Sequence, residues 1–225
     1  MAGMDNPYEI GPGLFMNPDL NRPGPIVGVI LAAGGSKRLG HPKQLIEIGG
    51  VPLIVRTVEA ALGVVAIDQV IVVLGANADR IRPLLEPLEV TLIETSAWPD
   101  GLSQSIRTAV NTIEARLPGT GAALFTLCDQ PHLDSAALTE ITAAGSASTS
   151  SAVAAKYDNH PGAPCLIDRR HFDYLKKLEG DEGARSLFQK LSPEDLTLVD
   201  LPQLSLDLDT PADLERWHRD QPDDD

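Results

Sequence analysis

The stretch LAAGGSKRLGHPKQL, residues 31–45, combines the residue types that bind phosphate. It holds three glycines, two lysines and one arginine directly after the apolar run 26–30. Glycines let a backbone approach a ligand closely, and the N–H groups of residues 34–36 can form an anion nest. Arg38 can grip phosphate oxygens in a fork, whereas Lys43 acts as a point charge. The stretch therefore predicts a phosphate cradle, and the alternative is a flexible surface loop with incidental charge.

Two familiar phosphate motifs do not fit this stretch. A P-loop places a lysine and a serine or threonine after its second glycine. Gly35 and Gly40 have the P-loop spacing, but His41 and Pro42 follow them. A dinucleotide fingerprint opens directly into a helix, and Pro42 argues against a helix at this point. Neither motif explains the cradle, so the kind of nucleotide must be inferred from the rest of the chain.

Aspartates occur at two further places where a metal ion can be held. Asp129 ends the apolar run 124–128. A carboxylate at the carboxyl end of a strand, facing the cradle, suits Mg²⁺, which takes one or two carboxylates together with phosphate oxygens. Asp207 and Asp209 precede a helix start in which Thr210 is the cap. The alternatives are structural, since Asp129 can be a turn or cap residue and the other two can be loop acids.

Four separate motifs in the correct order resemble the nucleotidyltransferases with a MobA-like fold, and the likeness extends over nearly all of 26–219. LAAGGSKRLG with the following Lys43 is similar to the family signature, roughly L-A-[AG]-G-x-[SG]-x-R-[ML]-G and then a lysine. The others are WPDGLSQS at 98–105, CDQP at 128–131 and DLDTPADL at 207–214. The family transfers a nucleoside monophosphate from a nucleoside triphosphate to an acceptor and releases pyrophosphate.

The resemblance implies a reaction centre around Mg²⁺. Its catalytic residues would be Arg38, Lys43 and Asp129, and its metal ligands Asp129 and Asp209, with Asp207 a weaker candidate. The nucleotide-binding residues that it implies are Leu31, Ala32, Ala33, Gly34, Gly35, Ser36, Arg38, Lys43, Gly101, Ser103, Ser105 and Asp129. Gly101 and the two serines would lie at a helix N-terminus near the base or ribose. A helix cap is the alternative for either serine, and Trp98 is equally suited to packing.

Residues 159–187 resemble the acceptor half of the cytidylyltransferase branch of this family, including GDEGAR at 180–185. The resemblance implies that Asp181 and Arg185 bind the acceptor. Equally, Arg185 can pair with Asp181 to hold the turn. His160 is interpreted as structural, because this transfer needs no histidine.

The resemblance also indicates which nucleotide and which acceptor to expect. Ala33 and the run CDQP resemble the molybdenum cofactor cytidylyltransferases. We therefore expect CMP to be moved from CTP onto molybdenum-molybdopterin, for delivery to a molybdenum hydroxylase. PKQL at 42–45 resembles the methylerythritol phosphate cytidylyltransferases instead, but the Asp-Ala-Ala-Arg-Pro type of run typical of that branch is missing. A non-catalytic chaperone for a molybdoenzyme is the alternative from another class, and the intact set of charged site residues favours an enzyme.

The elements that must position these residues form an alternating pattern from residue 25 onward. Candidate strands lie at 26–32, 69–75, 90–95, 122–128, 152–157 and 196–201, and candidate helices at 52–63, 78–86, 101–116, 134–144, 169–178, 183–191 and 211–219. Apolar strands between amphipathic helices predict an α/β fold of three layers, with a mostly parallel (mixed) twisted sheet covered by helices on both faces. The resemblance implies a Rossmann-like nucleotide-diphospho-sugar transferase fold. Such sheets bind ligands at the carboxyl ends of their strands.

Composition excludes some classes of function. The chain has 225 residues and a formal net charge of -14, from 18 Lys+Arg against 32 Asp+Glu. So acidic a protein is a poor candidate for binding nucleic acid. Two cysteines, no signal-peptide pattern and no apolar run of membrane-spanning length predict a cytoplasmic protein without a membrane partner. We expect an N-terminal extension at 1–24, a single nucleotidyltransferase domain at 25–220 and an acidic tail at 221–225.

Overall fold

The computed structural model describes residues 24–220. The predicted N-terminal extension, apart from Gly24, and the predicted acidic tail lie outside the described residues. Within 24–220, no helix is both long and apolar enough to cross a bilayer.

A seven-stranded sheet forms the middle layer, with strands in the order β5-β4-β1-β6-β8-β7-β9. Its members are β1 (Ile26–Ala32), β4 (Gln69–Leu74), β5 (Thr91–Glu94), β6 (Ala122–Leu127), β7 (Ala152–Tyr157), β8 (His160–Asp168) and β9 (Leu196–Asp200), and a separate two-stranded ribbon joins β2 (Glu47–Ile48) and β3 (Val51–Pro52). All pairings in the large sheet are parallel except those of β8, which runs antiparallel to β6 and β7. The predicted mixed, mostly parallel sheet is confirmed.

Helices cover both faces of this sheet. They are α1 (Leu53–Leu62), α2 (Ala78–Leu85), α3 (Leu102–Arg116), α4 (Ser135–Ala147), α5 (Phe172–Leu175), α6 (Arg185–Phe188) and α7 (Pro211–Asp220). One core cluster joins Ile30 of β1 to apolar residues of α1, α2 and α4. A second joins Val29 of the same strand to residues of α3, α5 and α6. Successive side chains of a strand point to opposite faces, so the continuous apolar run of β1 fills both cores and makes the strand central.

Local structure differs from the predicted elements at four places. The region 160–168, for which no element was predicted, is strand β8, although it holds Pro161 and Pro164 and proline is normally excluded from the middle of a sheet. The helix predicted at 169–178 is a 3₁₀ turn followed by the four residues of α5, and the one predicted at 183–191 is reduced to α6. The helix predicted at 134–144 is α4, which continues three residues further, to Ala147.

Candidate active site

The loops that follow β1 and β6 meet at one edge of the sheet, because these two strands are parallel neighbours. They enclose a cleft of about 500 Å³, which we call the first cleft. Its lining residues include Leu31, Ala33, Gly34, Gly35, Ser36, Arg38, Lys43, Trp98, Gly101, Ser105, Asp129, Asp181, Asp207 and Asp209. A ligand in the first cleft would lie at the carboxyl ends of both strands, where open α/β sheets bind their ligands.

The glycine-rich loop forms one wall of the first cleft. Ser36 adopts a left-handed backbone conformation (φ 49°), and its carbonyl oxygen accepts hydrogen bonds from the N–H groups of Leu39 and Gly40, at 3.2 and 3.1 Å. A Cβ atom on Gly35 would lie 2.9 Å from the Trp98 ring, so this glycine is required for packing. A Cβ atom on Gly34 would have no protein atom within 4 Å. The space in front of Gly34 is therefore open to a ligand that approaches the backbone.

A cluster of opposite charges lies at the floor of the first cleft. The Lys43 ammonium lies 2.5 Å from a carboxylate oxygen of Asp129 and 2.9 Å from one of Asp209. The Arg38 guanidinium lies 2.8 Å from the second oxygen of Asp209, and its own side chain is 73% exposed. Burial on its own would lower the pKa of Lys43, but the carboxylates of Asp129 and Asp209 outweigh it and raise that pKa above its ordinary value. Lys43 is therefore a permanent cation held between two carboxylates.

Backbone contacts bring the second carboxylate to the first. The N–H group of Leu208 donates to the carbonyl oxygen of Asp129 at 2.8 Å, which fixes residues 207–209 against the loop after β6. The helix start predicted from Thr210 is confirmed, since its hydroxyl lies 2.7 Å from a carboxylate oxygen of Asp213 and accepts from the Asp213 N–H group at 3.3 Å. The same carboxylate accepts from the N–H group of Asp209. The capping box of α7 thus also holds the backbone of Asp209.

The donors at this floor fit a hard divalent cation. One carboxylate oxygen each of Asp129 and Asp207 is buried without a hydrogen-bond partner in the described part of the chain. Burial, with the nearby charges of Asp129 and Asp209, raises the pKa of Asp207 to about 7. No group of three or more acidic, histidine or cysteine side chains forms a complete metal cage within 24–220. The carboxylates of Asp129 and Asp209 form a pair, and Mg²⁺ commonly takes one or two carboxylates from protein. The Lys43 ammonium already lies between Asp129 and Asp209.

A second cleft of about 410 Å³ adjoins the first and shares Leu31, Leu102, Leu127, Asp181 and Asp207 with it. It opens where β6 and β8 separate. Their pairing ends at Phe125 and Cys165, while residues 126–127 and 160–163 line the cleft. The remaining wall carries Phe188 and the exposed Arg185. Two adjoining clefts that share two aspartates, Asp181 and Asp207, can hold two substrates side by side.

Most of the residues predicted for the site line one of the two clefts. Ala32 and Ser103 do not, because Ala32 is 1% exposed within β1 and Ser103 is 0% exposed under the start of α3. Asp181 lines both clefts and Arg185 lines the second. Among residues 24–220, Arg185 forms no ion pair with Asp181. His160, interpreted from sequence as structural, is exposed at the second cleft.

Two buried glutamines were missed as supports of the site. Gln44 donates from its amide nitrogen to the carbonyl oxygens of Ala32 and Gly34, and Gln130 donates to that of Leu204 at 3.0 Å. They are 0% and 1% exposed, respectively. Gln44 directly follows Lys43 and Gln130 directly follows Asp129 in the sequence. That position is the only sequence signal that could have indicated the two glutamines. A glutamine read from sequence alone is usually a surface residue.

Comparison with known proteins identifies the family. The MobA-like NTP transferase domain matches residues 28–195. The chain belongs to the MobA-like NTP transferase family. Within it, nicotine blue oxidoreductase of Paenarthrobacter nicotinovorans is 31% identical over 202 residues, which covers 82% of this chain and 92% of that protein. A probable molybdenum cofactor guanylyltransferase of Rhodopirellula baltica is 27% identical over 197 residues, covering 85% and 91% of the two chains.

Solved structures show the same fold as this MobA-like NTP transferase. Rv0371c from Mycobacterium tuberculosis superimposes with a TM-score of 0.74 at 28% identity, covering 87% of this chain and 98% of that one, and it has also been solved in complex with manganese.

Other relatives are longer than this chain. The bifunctional protein GlmU of Sorangium cellulosum is 34% identical over 131 residues, 55% of this chain, and the match spans about a quarter (27%) of that protein's length.

Proposed function

We propose that the protein is a divalent-metal-dependent nucleotidyltransferase that moves CMP from CTP onto molybdenum-molybdopterin and releases pyrophosphate. The observation that carries this proposal is the cluster of Lys43, Asp129, Asp209 and Arg38 beneath the glycine-rich loop. It provides two carboxylates for a metal ion and two cations for phosphate oxygens in one cleft.

The transfer asks the protein mainly for position and charge. The acceptor phosphate is already an anion, so no strong general base is required, and the obstacle is repulsion between two anions and the charge that builds up on the leaving pyrophosphate. Lys43, Arg38 and the N–H groups of 34–36 would bind the phosphates and take up that charge. Asp129 and Asp209 would hold Mg²⁺, which when bound polarises a phosphoryl oxygen. Removing one such charged group typically lowers the rate of transfer by about 10²–10³-fold.

The two clefts suit the two substrates. The first cleft, with Trp98, Gly101 and Ser105 at its edge, would take the nucleotide, and the second, with Asp181 and Arg185, the acceptor. Molybdopterin as the acceptor is supported by the name of the Rhodopirellula relative, a probable molybdenum cofactor guanylyltransferase. CTP rather than GTP rests on Ala33 and on the run CDQP at 128–131. The product would then pass to a molybdenum hydroxylase.

Pyrophosphate release tests the proposal. The purified protein receives molybdenum-molybdopterin, Mg²⁺ and one of CTP, GTP, ATP or UTP, and we expect release with CTP. Asp129→Ala should abolish release. Asp134→Ala is the matched control, because Asp134 follows the same strand but only caps α4, accepting the N–H group of Ala137 at 2.8 Å. Release that persists in Asp129→Ala would contradict the role of this carboxylate, and nucleotide binding without release would favour a chaperone.

An oxidoreductase is the second candidate function. The observation in its favour is the 31% identity with nicotine blue oxidoreductase over 82% of this chain. The two activities can be told apart in a spectrophotometer. An oxidoreductase that uses NADH or NADPH would oxidise the nicotinamide, so the absorbance of its reduced form would fall in the presence of a redox dye. We expect no consumption above the rate with heat-denatured protein. Consumption that survives Asp129→Ala would favour the oxidoreductase.

A further inference from the structure

Gln44 is a fully buried polar side chain beneath the glycine-rich loop, at 0% exposure. Its amide nitrogen donates to two backbone carbonyl oxygens, that of Ala32 at 2.9 Å and that of Gly34 at 2.8 Å. Two acceptors fix which end of the amide is nitrogen, because only the NH₂ group can donate. The amide oxygen is left buried without a partner in the described part of the chain.

Packing alone does not explain a glutamine at this position. Burying an amide oxygen without a partner has a desolvation cost that Leu or Met of similar volume would avoid. Gln44 lies at the first cleft. Since its burial has this cost, its two hydrogen bonds to backbone carbonyls must offer an advantage that an apolar side chain lacks.

These two bonds set the direction of the loop's own N–H groups. In a trans peptide, the C=O and N–H groups point in opposite directions. Since the carbonyl groups of Ala32 and Gly34 point to Gln44, the N–H groups of Ala33 and Gly35 point away from it. The carbonyl group between them, that of Ala33, accepts from the N–H group of Ala76 at 3.0 Å. Three successive peptide groups, from 32 to 35, are thus held in fixed orientations.

The backbone of Lys43, the residue before Gln44, is also tied to the glycine-rich loop. The N–H group of Lys43 donates to the Ser36 hydroxyl at 3.0 Å, one residue before Gln44 reaches back to Ala32 and Gly34. The short 3₁₀ turn Lys43–Leu45 is therefore joined to the loop by three hydrogen bonds. The glycine-rich loop and the backbone of Lys43, whose ammonium is assigned to phosphate, are thereby joined.

We propose that Gln44 is a positioning residue that orients the N–H groups of the glycine-rich loop and the adjacent Lys43 for binding of a nucleoside triphosphate. The inference rests on the proposed nucleotide site. Gln44 is fully buried beneath the loop, and it acts through the peptide groups that it holds.

The test replaces Gln44 with methionine, which has nearly the same volume but cannot donate. Thr142→Val is the matched control, since Thr142 is also buried (2%) and its hydroxyl also donates to a backbone carbonyl, that of Thr139 at 3.0 Å, but it lies on α4 and lines neither cleft. Two quantities are measured for each variant and for the wild type. They are the dissociation constant for CTP with Mg²⁺, by calorimetry, and hydrogen–deuterium exchange of the amides of residues 32–36.

Gln44→Met is expected to raise the dissociation constant for CTP at least about ten-fold and to speed exchange at 32–36, with the rest of β1 still protected. Thr142→Val is expected to change CTP binding by less than about two-fold. An unchanged dissociation constant in Gln44→Met, or an equal loss in both variants, would overturn the inference. A wild-type protein that binds no triphosphate would overturn the proposed function instead. If Gln44→Met does not fold, Gln44→Asn, which is too short to reach both carbonyls, decides by the same two measurements.

Discussion

At the residue scale, Lys43 lies between the two carboxylates that would hold a divalent cation. Its ammonium contacts Asp129 at 2.5 Å and Asp209 at 2.9 Å, and Arg38 holds the remaining oxygen of Asp209. A metal ion that binds without nucleotide must displace Lys43 and Arg38 from the carboxylates. A nucleotide that binds without metal must draw the same two cations away from the carboxylates. Because the metal frees the cations for phosphate and the nucleotide frees the carboxylates for metal, we expect the two ligands to bind cooperatively.

Lys43→Met tests this competition. Without the ammonium, Mn²⁺ alone is expected to bind at least about five-fold more tightly, because the carboxylates have lost an internal counterion. CTP in the presence of Mn²⁺ should bind about ten-fold more weakly, because a phosphate contact is gone. Free Mn²⁺ measured by electron paramagnetic resonance gives the affinity for the metal alone, and calorimetry with CTP at saturating Mn²⁺ gives the affinity for the nucleotide. Lys37→Met is the control, since Lys37 forms no ion pair within 24–220, and equal Mn²⁺ affinity in the two variants would refute the competition.

Gly34 gives a second prediction at this scale. A Cβ atom there meets no protein atom within 4 Å, so Gly34→Ala should leave the melting temperature unchanged. The added methyl group would occupy the space through which a phosphate approaches the backbone, and CTP affinity should fall at least about ten-fold. Gly119→Ala, at an exposed glycine with equally open surroundings, is the control and should bind CTP normally. Normal CTP binding by Gly34→Ala would mean that phosphate does not approach this wall.

At the element scale, the capping box at the start of α7 also holds the backbone of Asp209, a proposed metal ligand. Thr210→Ala removes the cap and is expected to cost about 1 kcal/mol of unfolding free energy in urea denaturation. Thr139→Ala is the control, since the Thr139 hydroxyl donates to the Ser135 carbonyl on the surface of α4 and caps nothing. A Thr210→Ala protein as stable as the control would show that the capping box contributes nothing.

The pH dependence of the same cap has a defined sign. The hydrogen bond from the Thr210 hydroxyl holds the pKa of the Asp213 carboxyl below its ordinary value. A carboxyl whose pKa is lower in the folded state stabilises the fold above its unfolded pKa, and the benefit is lost as the pH falls through the folded value. The stability advantage over Asp213→Asn should be constant between about pH 6 and 8 and shrink below about pH 4. An advantage that grows on acidification would contradict this sign.

Strand β8 shows what the sequence pattern could not reveal at this scale. The apolar runs of the parallel strands predicted their positions closely, because each is buried on both faces. In β8, two prolines interrupt the run, and proline is normally excluded from the middle of a sheet. The register resolves the conflict, since only Cys165–Asp168 pair with β6, and Pro161 and Gly162 pair with β7 alone. The prolines lie where β8 has left β6, which is where the second cleft opens.

At the scale of the whole molecule, the sheet places the site and buries both thiols. Cys128 and Cys165 are each 2% exposed, and burial raises the pKa of each thiol to about 12. At pH 8 the reactive thiolate is therefore nearly absent, and we expect no labelling by Ellman's reagent in the native protein. Two thiols should react in guanidinium chloride. Rapid native labelling of either cysteine would contradict the packing of this core.

The site was predictable from sequence as far as it depends on charged side chains in motifs. Arg38, Lys43, Asp129 and Asp209 come together because parallel strands bring their carboxyl ends to one edge. Ser103 does not line the first cleft, because it is fully buried at the start of α3. Which residues of a helix start are buried depends on how the helix packs on the sheet, which the sequence motif does not encode. Gln44 and Gln130 were missed because their roles depend on backbone carbonyls from distant segments, which no local pattern encodes.

The most direct test of the central claim follows a labelled phosphate through the reaction. The protein is incubated with Mg²⁺, molybdenum-molybdopterin and CTP labelled at either the α- or the γ-phosphorus. We expect the α-label to move to the acceptor and the γ-label to leave in pyrophosphate, and we expect neither with Asp129→Ala. A γ-label released as inorganic phosphate with no α-label on the acceptor would contradict nucleotidyl transfer at this cleft.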